Sequence, residues 1–206
     1  MARYICIEGN IGSGKTTLAK ALSKKLNTRL VLEEFEGNAF LEKFYKNPKR
    51  YAFPVEMTFL AERYKQLSEI LSKPEDMFQR DIIADYSISK SLLFAKNNLD
   101  LQEFVLYKDL FEILNTKLRK PDLIIFLDRS IGSTLENIKK RGRPYEMNID
   151  EEYLMDIKER YKQLLINDKT ANLLVLNAEN YDFIDKPKDL DILIEEINTF
   201  TGNRIT

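Results

Sequence analysis

Short apolar runs alternate with longer amphipathic stretches along the whole chain. The apolar runs are rich in Ile, Val and Leu and predict strands at 4–8, 30–32, 81–84, 123–127 and 173–176. Between them, apolar residues at intervals of three and four predict helices over 12–26, 39–45, 53–71, 87–95, 101–118, 131–140, 151–165 and 190–200. Strands separated by helices need crossover connections, so we expect an α/β fold with a parallel sheet of about five strands and helices on both faces.

Length and composition restrict the number of domains and the available chemistry. With 206 residues, the chain is expected to form a single domain over 1–206. The 32 Lys and Arg and 33 Asp and Glu give a net charge of −1, so the overall charge favours neither nucleic acid nor an anionic membrane as a partner. The chain has no histidine and one cysteine, Cys6, which excludes His-based triads and bases, His metal sites, internal disulfides and cysteine zinc sites. An acid–base enzyme of this composition has to use carboxylates, lysines or tyrosines.

No targeting or membrane-spanning segment is predicted. The first apolar run is too short for a signal-peptide core and leads into glycines instead of a cleavage site. No apolar run approaches the roughly 18 residues that a transmembrane helix needs. We therefore expect a cytoplasmic protein.

A glycine-rich sequence follows the first predicted strand and opens the first predicted helix. It matches G-x-x-x-x-G-K-[ST] and consists of Gly9, Asn10, Ile11, Gly12, Ser13, Gly14, Lys15 and Thr16, followed by Thr17. In such a loop, backbone N–H groups and the helix N-terminus surround phosphate oxygens. Lys15 is expected to reach the outer phosphates, and the Thr16 hydroxyl to bind Mg²⁺. The chain is therefore predicted to bind a nucleoside triphosphate with Mg²⁺.

Other sequence features narrow the class of P-loop protein. The Asn-Lys-x-Asp sequence of GTPases and the Leu-Ser-Gly-Gly signature of transporter-type ATPases do not occur in the chain. Lys140, Arg141 and Arg143 lie between two predicted helices late in the chain, where small-molecule kinases carry an arginine-rich lid, here expected at about 139–149. Guanidinium groups there would offset the charge of the transferring phosphoryl group. A solvated basic helix end is the alternative.

Segments along the chain also occur in the order and near the spacing of one enzyme family. They are 7–17, Glu33, 44–45, 47–48, 50–53, Glu56, Arg63, 85–87, 141–146, Ile149 and 176–183. They resemble the deoxyribonucleoside kinases, which phosphorylate deoxycytidine, deoxyguanosine or deoxyadenosine, and the resemblance covers essentially the whole chain. It implies a P-loop kinase fold with an arginine-rich lid, ATP and Mg²⁺, a deoxynucleoside acceptor, a role in nucleotide salvage, and a homodimer formed through the long helices. Glu179, Asn180 and Tyr181 resemble the family's adenine-side loop.

Glu33 is the candidate base for the phosphoryl transfer. It ends the second predicted strand, at the carboxyl edge of the sheet, where ligands bind in open α/β folds. A carboxylate there can accept the proton of a nucleoside 5′-hydroxyl as the hydroxyl attacks the γ-phosphorus of ATP. The adjacent Glu34 is an alternative, and a strand-end carboxylate in solvent is another.

The resemblance assigns further residues to the nucleoside and the metal. Tyr45 and Glu146 match the pair that holds the sugar 3′-hydroxyl, with helix packing and a lid-surface charge as the alternatives. Asp85, at the end of the third predicted strand, matches the acidic residue that reaches Mg²⁺. The remaining predicted substrate-binding residues are Phe44, Val55, Glu56, Arg63, Tyr86, Lys90 and Phe94.

The sequence departs from the family pattern at four positions. Glu56 stands where the family has Gln, and Tyr86 where the motif has Arg. Ser91 replaces an acid, and Asn137 replaces an arginine four residues before the lid Arg. Lys90, one turn into the predicted helix, is placed to return a positive charge. These departures bear on substrate choice and on the clamp around the transferring phosphoryl group.

Glu56 and Arg63 predict the base preference. They lie seven residues apart on one face of a predicted helix and match the family's base-reading Gln and Arg. A carboxylate only accepts hydrogen bonds, and guanine offers two adjacent donors, N1–H and the 2-amino group, while Arg63 would donate to O6 and N7. Adenine would set its N1 lone pair against the carboxylate unless Glu56 were protonated. We therefore expect deoxyguanosine as the first substrate and deoxyadenosine as the second; a structural Glu56–Arg63 pair is the alternative.

Two other functions stay open on the sequence alone. A nucleoside monophosphate kinase of the thymidylate-kinase type needs cationic groups for the acceptor's own phosphate, for which Arg50 and Lys90 are candidates, but Glu33 would repel that phosphate. A regulatory NTP-binding module without turnover would release no ADP in response to a nucleoside.

Overall fold

The centre of the fold is a five-stranded parallel sheet. The computed structural model describes residues 2–34, 37–71, 80–167, 172–183 and 186–202. The strands are β1 (Tyr4–Gly9), β2 (Arg29–Val31), β3 (Ile82–Ala84), β4 (Leu123–Asp128) and β5 (Asn172–Asn177), in the spatial order β2-β3-β1-β4-β5. Every neighbouring pair is parallel. The predicted α/β fold with about five parallel strands is confirmed.

Helices connect the strands, as the hydrophobic spacing predicts. In the described part of the chain they are α1 (Lys15–Leu26), α2 (Leu41–Lys46), α3 (Pro48–Leu71), α4 (Ser89–Asn98), α5 (Leu101–Asn115), α6 (Ile131–Arg141), α7 (Glu151–Asn167) and α8 (Pro187–Thr201). No helix among these described residues is both long enough and apolar enough to cross a bilayer.

The largest difference from the sequence-based boundaries is the start of α3. The predicted helix begins at Phe53, beside Pro54, whereas the observed helix begins at Pro48 and contains Pro54 in its interior. Proline removes a backbone donor and disfavours helical geometry in the residue before it, so a pattern-based boundary falls next to it. Asn47 separates α2 from α3, and its side-chain oxygen accepts from the backbone N–H of Arg50 at 3.3 Å.

Side chains of alternate residues in each strand pack on opposite faces of the sheet. In β1, Ile5 and Ile7 pack with apolar residues of α1 and α8, whereas Tyr4 and Cys6 pack with apolar residues of α3, α4 and α5. A further cluster joins β4 to α4 and α7. Because both faces are covered, β1 is buried along its whole length, as is typical of a central parallel strand.

The carboxyl ends of the strands bring the predicted chemistry to one edge. The glycine-rich loop follows β1, Glu33 lies just beyond β2, and Asp85 directly follows β3. Parallel strands all end at this edge, so residues that are far apart in the sequence meet here.

Candidate active site

The carboxyl edge of the sheet opens into a cavity of about 590 Å³. Its wall contains nearly all the predicted catalytic, metal-binding and nucleoside-binding residues: Lys15, Thr16, Glu33, Phe44, Tyr45, Val55, Glu56, Arg63, Asp85, Lys90, Phe94, Arg141, Arg143 and Glu146. The loop residues Ile11 and Gly12 also line it. One cavity therefore joins the phosphate-binding sequence to the predicted nucleoside site.

Tyr86 lies outside the cavity, although the sequence analysis predicts it as a substrate-binding residue. It is fully buried in the apolar cluster shared with α3 and α5, and it does not line the cavity. Its hydroxyl donates to the side-chain oxygen of Gln66. The residue that follows Asp85 therefore points into the core, whereas Lys90, at the start of α4, is one of the cations that line the cavity.

Two glycines give the phosphate-binding loop its shape. The φ angle of Gly12 is +78°, and a Cβ there would lie 2.8 Å from the Thr134 carbonyl oxygen. The φ angle of Gly9 is +152°, and a Cβ there would lie 2.9 Å from the Leu127 carbonyl oxygen. Both positions combine a backbone conformation that disfavours side chains with a close neighbour, so the loop requires glycine at each.

The side chain of Asn10 holds this loop in place. Its Nδ2 donates to the Leu154 carbonyl at 2.8 Å, and its Oδ1 accepts from the Ile11 N–H at 2.8 Å. Asn10 is buried. Its side chain therefore anchors the loop to α7, which leaves the backbone of the loop for a phosphate.

Lys15 lies across the loop that it follows. Its Nζ donates to the carbonyl oxygens of Gly9 at 2.9 Å and Asn10 at 2.7 Å. Burial, together with the positive charge of Lys90, lowers the pKa of Lys15 to about 8. Since an ammonium group near a phosphate is stabilised by it, a bound triphosphate would favour the charged form of Lys15.

A chain of hydrogen bonds joins the loop to the candidate base. The Thr16 hydroxyl donates to Asp85 Oδ2 at 2.5 Å, and the Glu33 backbone N–H donates to Asp85 Oδ1 at 2.8 Å. A hydroxyl and a carboxylate at the mouth of a phosphate-binding loop are the oxygen ligands that Mg²⁺ prefers. Thr16 and Asp85 therefore fit the metal role that the sequence predicts.

Glu33 is held between two cations. Arg63 donates to its Oε1 from Nε at 2.8 Å and lies 2.7 Å away through Nη2, while Lys90 Nζ donates to Oε2 at 2.5 Å. Burial alone would raise the pKa of Glu33, but Lys90 and Arg63 outweigh it and hold that pKa well below its usual range. Glu33 is therefore ionised. Glu34, by contrast, is exposed and accepts from Gln66.

Arg63 is not the partner of Glu56. Besides binding Glu33, it donates from Nη1 to the Ser91 hydroxyl at 2.8 Å, and its guanidinium lies 4.7 Å from the centre of the Phe59 ring. Glu56 instead accepts a hydrogen bond from Asn98 Nδ2 at 2.7 Å. Burial raises the pKa of Glu56 to about 7, although the charge of Arg63 opposes the shift.

The lid arginines converge on Glu146. This buried carboxylate forms ion pairs with Arg141 and with Arg143, the second at 3.2 Å. The ring of Tyr45 stacks on Tyr145 at 5.7 Å between ring centres, which brings α2 against the lid. The predicted sugar-binding residues Tyr45 and Glu146 thus lie on the wall of the same cavity as the lid arginines.

The predicted adenine-side loop lies outside this cavity. Glu179 belongs to a 3-10 turn after β5 and accepts from the Ser130 N–H at 3.0 Å and from the Ser133 hydroxyl at 3.2 Å. The Tyr181 hydroxyl donates to Glu196 of α8 at 2.6 Å. Asn180 ends the turn. Glu179 lines a second, smaller cavity of about 380 Å³ with Arg129.

Three residues that line one or other of these two cavities are absent from the sequence-based predictions. Arg129 donates to the Ser13 carbonyl at 3.2 Å and to the Ala178 carbonyl at 2.8 Å, so it ties the phosphate-binding loop to the turn after β5. Arg129 directly follows β4 at the carboxyl edge of the sheet, so its place in the sequence could have indicated a role at this edge. Asn98 and Tyr153 line the cavity beside Glu56, and the Tyr153 hydroxyl donates to Asn98 Oδ1 at 3.3 Å. They come from α4 and α7, and no local motif marks them.

Similarity to known proteins extends over nearly the whole chain. The family model for deoxynucleoside kinases matches residues 5–202. Deoxyguanosine kinase from Bacillus subtilis (strain 168) is 38% identical over 197 residues, 92% of this chain and 93% of the relative. Deoxyadenosine kinase from Dictyostelium discoideum is 36% identical over 192 residues, 93% of this chain and 78% of the relative.

Solved structures show the same fold. The structure of deoxyadenosine kinase from M. mycoides with bound dATP has a TM-score of 0.80 and 27% sequence identity, covering 95% of this chain and 99% of that one. The structure of that enzyme with the products dCMP and dCDP has a TM-score of 0.81 and 29% identity, with the same coverage of both chains. The match of the family model over nearly the whole chain and the two enzyme relatives lead to one conclusion: the chain belongs to the deoxynucleoside kinase family.

Proposed function

We propose that this protein transfers the γ-phosphoryl group of ATP to the 5′-hydroxyl of a purine deoxynucleoside, with deoxyguanosine preferred over deoxyadenosine, in nucleotide salvage. The observation that supports this activity most directly is the hydrogen-bonded chain from Thr16 through Asp85 to Glu33. In this chain of hydrogen bonds, Glu33, the candidate general base, lies beside the residues that would hold the metal and the phosphates. A nucleoside whose 5′-hydroxyl lies at Glu33 is then next to the γ-phosphate of ATP bound at Lys15.

Glu33 would take the proton of the 5′-hydroxyl in this reaction. As the O5′–H bond breaks, the O5′–P bond forms and the bond from the γ-phosphorus to the bridging oxygen of ADP breaks. Phosphoryl transfer passes through a loose transition state, in which positioning and charge contribute more than base strength. A carboxylate kept ionised by Arg63 and Lys90 can therefore orient the hydroxyl and accept its proton late in the reaction.

Mg²⁺ would be held by the Thr16 hydroxyl and the Asp85 carboxylate. When bound with ATP, it supplies positive charge to the β- and γ-phosphate oxygens. Lys15 would add an ammonium group, and Arg141 and Arg143 would add guanidinium groups from the lid. Planar guanidinium groups match the equatorial oxygens of the transferring phosphoryl group.

The base preference is supported by Glu56 and by the relatives. Its carboxylate is buried in the cavity wall, two helical turns along α3 from Arg63, and in its ionised form it accepts the two adjacent donors of guanine. Tyr45 and Glu146 would hold the sugar 3′-hydroxyl between the base and Glu33. Two curated relatives, at 38% and 36% identity, are named for deoxyguanosine and deoxyadenosine.

A nucleoside monophosphate kinase activity has weaker support. Of its two candidate cations for an acceptor phosphate, Lys90 is bound to Glu33, and Arg50 does not line the cavity. The guanidinium of Arg50 lies 5.5 Å from the centre of the Tyr51 ring. An acceptor phosphate at this position would also face the ionised Glu33.

A homodimer is proposed on separate grounds. Four apolar side chains of α5 are more than half exposed: Leu101, Val105, Leu106 and Ile113. An exposed apolar stripe on a long helix is typical of a surface that pairs with another chain. Light scattering after gel filtration should give twice the chain mass for wild type and the single chain mass for Leu106→Glu. The single-domain organisation, the lid at about 139–149 and the cytoplasmic location stay predictions from the sequence.

One assay separates these activities. ADP release is measured with ATP and Mg²⁺ in the presence of deoxyguanosine, deoxyadenosine, deoxycytidine, thymidine or thymidylate, and without an acceptor. We expect the highest kcat/KM with deoxyguanosine and the next highest with deoxyadenosine. Release with thymidylate alone would support the monophosphate kinase, and release that no acceptor increases would support the regulatory module.

A further inference from the structure

The part of the cavity lined by Glu56, Asn98 and Tyr153, where the nucleobase is proposed to bind and which we call the base end, contains a buried carboxylate with one unused oxygen. Glu56 is 3% exposed and lies on the cavity wall. Its Oε1 accepts from Asn98, whereas its Oε2 is buried and no described residue donates to it. A buried acceptor without a partner destabilises the folded state, more so when it is charged. The site is therefore satisfied only when Oε2 carries a proton or receives a donor from the ligand.

The direction of the neighbouring hydrogen bonds determines which oxygen can carry that proton. Asn98 Oδ1 accepts from the Tyr153 hydroxyl at 3.3 Å and from Asn97 Nδ2 at 3.2 Å. Asn98 consequently presents its amide N–H to Glu56 Oε1. Because Oε1 already accepts from that donor, a protonated Glu56 carries its proton on Oε2.

Charged and titratable groups face Glu56 from several elements. They are Arg63 on its own helix, Lys90 on α4, Glu33 after β2, Tyr107 on α5 and Tyr153 on α7. Arg63 and Lys90 are both bound to Glu33. Burial raises the pKa of both tyrosines, and the two cations hold the pKa of Glu33 well below its usual range. Burial brings the pKa of Glu56 to about 7, so Glu56 changes charge near neutral pH.

We propose that Asn98, oriented by Tyr153, is a positioning residue for base selection, which holds Glu56 by one oxygen so that guanine is read by the ionised carboxylate and adenine by the protonated carboxyl group. This role rests on the phosphorylation of purine deoxynucleosides proposed above, and it extends that function from a fixed preference to one set by the proton on Glu56.

The two purines require opposite states of the same oxygen. Guanine has donors at N1 and the 2-amino group, which match the two oxygens of the ionised carboxylate, since Oε1 has a second lone pair besides the one that accepts from Asn98. Adenine has an acceptor at N1, which matches an Oε2–H donor, and a 6-amino donor, which matches the second lone pair of Oε1. The wrong combination leaves either two acceptors or two donors facing each other, and a buried mismatch of this kind discriminates strongly. The relative rates should therefore follow the ratio of ionised to protonated Glu56.

The test is the pH dependence of the substrate ratio. The kcat/KM values of the full chain for deoxyguanosine and deoxyadenosine are measured from about pH 5.5 to about pH 8.5. We expect the ratio of deoxyguanosine to deoxyadenosine to rise with pH, by up to about tenfold per pH unit. Titration of Lys15 affects both substrates equally and cancels in the ratio. If both nucleosides are phosphorylated with a ratio that does not change with pH, the inference is overturned and the proposed function stands. If neither is phosphorylated, both fail.

Variants test whether Glu56 is the group whose ionisation changes the ratio of deoxyguanosine to deoxyadenosine. In Glu56→Gln the ratio should become independent of pH, and in Asn98→Ala its slope against pH should be smaller, since Glu56 is no longer held by one oxygen. Glu62→Gln is the matched control, because Glu62 lies on the same helix with a pKa also raised by burial but does not line the cavity. Its slope should equal that of wild type. A wild-type slope in Glu56→Gln, or an unchanged slope in Asn98→Ala, would contradict the assignment.

A binding measurement covers the case in which these variants do not fold. Calorimetric titration of wild type near pH 7, in two buffers of different ionisation enthalpy, gives the number of protons exchanged on binding. Deoxyadenosine should bind with proton uptake and deoxyguanosine with proton release. Binding of both nucleosides without proton exchange, or with exchange of the same sign, would refute the inference.

Discussion

The two ends of the cavity are built from different kinds of contact. The phosphate end is one continuous segment, shaped by the backbone at Gly9 and Gly12 and anchored by Asn10. The base end is assembled from side chains of α3, α4 and α7, in which Tyr153 binds Asn98 and Asn98 binds Glu56. The first depends on local geometry and the second on pairing between distant residues. Substitutions at the phosphate end should therefore remove ATP binding, whereas substitutions at the base end should change selectivity and pH dependence.

Glu33 belongs to both ends. Its backbone N–H binds Asp85, which binds Thr16, while its carboxylate binds Arg63 and Lys90. The carboxylate is thereby fixed between the phosphate-binding residues and the helices that form the base end. We expect the largest effect on turnover at this position.

Glu33→Gln should lower turnover by about 10²–10⁴, the usual size of the loss of a general base, and leave the KM for the nucleoside within several-fold. The amide cannot accept the 5′-hydroxyl proton, although it fills nearly the same volume. Steady-state kinetics with ATP and deoxyguanosine measure both quantities. Because the variant leaves Arg63 and Lys90 without their carboxylate, circular dichroism has to show that it is folded.

Glu34→Gln is the control for this substitution. Glu34 is the next residue, is exposed, and accepts from Gln66 instead of from the two cations. Its turnover should stay near wild type. A large loss in Glu34→Gln with normal turnover in Glu33→Gln would move the catalytic base to Glu34.

Gly12→Ala tests the dependence of the phosphate end on backbone geometry. Its Cβ would lie 2.8 Å from the Thr134 carbonyl oxygen and 2.9 Å from Ile138 Cγ1, at a φ of +78°. A non-glycine residue in such a conformation costs about 1–3 kcal/mol before any clash is counted. We expect the KM for ATP to rise by about 100-fold, with little change in the ratio of deoxyguanosine to deoxyadenosine.

Gly132→Ala is the matched control in the adjacent helix. A Cβ there meets nothing within 4 Å. Alanine favours a helix by about 1 kcal/mol over glycine, so this variant should be as active as wild type and slightly more stable. If Gly12→Ala changed the ratio of deoxyguanosine to deoxyadenosine and left the KM for ATP normal, the phosphate end of the cavity would also determine selectivity, which would contradict this division of roles.

The same contrast explains what the sequence could and could not predict. The sequence predicted the phosphate-binding loop and Thr16 from a local motif and Glu33 from a strand end, and the family resemblance assigned Asp85. The carboxylate that pairs with Arg63 could not be predicted from a motif or a strand end. Helical spacing places Arg63 and Glu56 on one face, but the choice among several carboxylates depends on three-dimensional distances, and Arg63 binds Glu33 and Ser91.

Tyr86 and Asn98 are two residues whose side-chain positions could not be predicted from the sequence. Family order placed Tyr86 in the substrate site, yet its side chain packs in the core and binds Gln66, because the chain turns between β3 and α4. Asn98 has no motif around it and reaches the cavity only because α4 ends there. Roles that depend on the direction of one side chain at a turn or helix end therefore need the structure.

Glu56→Gln should make the stability of the base end independent of pH. The pKa of Glu56 in the folded protein is about 7, above its unfolded value of about 4.5. The neutral form is favoured by folding, so this stabilisation is fully present below the unfolded value and is lost as pH rises through about 7. The loss is at most about 3 kcal/mol between roughly pH 4.5 and pH 8.

Thermal unfolding at about pH 5 and about pH 8 measures this difference. The fall in Tm from the lower to the higher pH should be smaller in Glu56→Gln than in wild type, by a few degrees per kcal/mol removed. Glu42→Gln, on the exposed side of α2, is the control and should follow wild type. An equal fall in Glu56→Gln and wild type would mean that Glu56 is ionised at both pH values or at neither.

The smallest effect is expected in the lid, where the two ends meet. Asn137 of α6, the helix that leads into the lid, donates to the Gly12 carbonyl at 2.9 Å, and Tyr145 of the lid stacks on Tyr45 of the predicted sugar site. Glu146 holds Arg141 and Arg143 between these contacts. This arrangement presents two guanidinium groups to the cavity at a fixed place.

Arg141→Lys and Arg143→Lys should each lower kcat by about tenfold and change the KM for ATP by less, because lysine keeps the charge and the pairing with Glu146 but loses the planar fork that matches phosphoryl oxygens. Lys140→Arg is the control, since Lys140 is exposed and does not line the cavity. Measurement of kcat and of the KM for ATP distinguishes the two possible roles of the lid. A loss mainly in kcat means that the guanidinium groups act on the transferring phosphoryl group and join the two ends during the reaction. Equal losses in both would mean that the lid only anchors ATP, and it would then belong to the phosphate end alone.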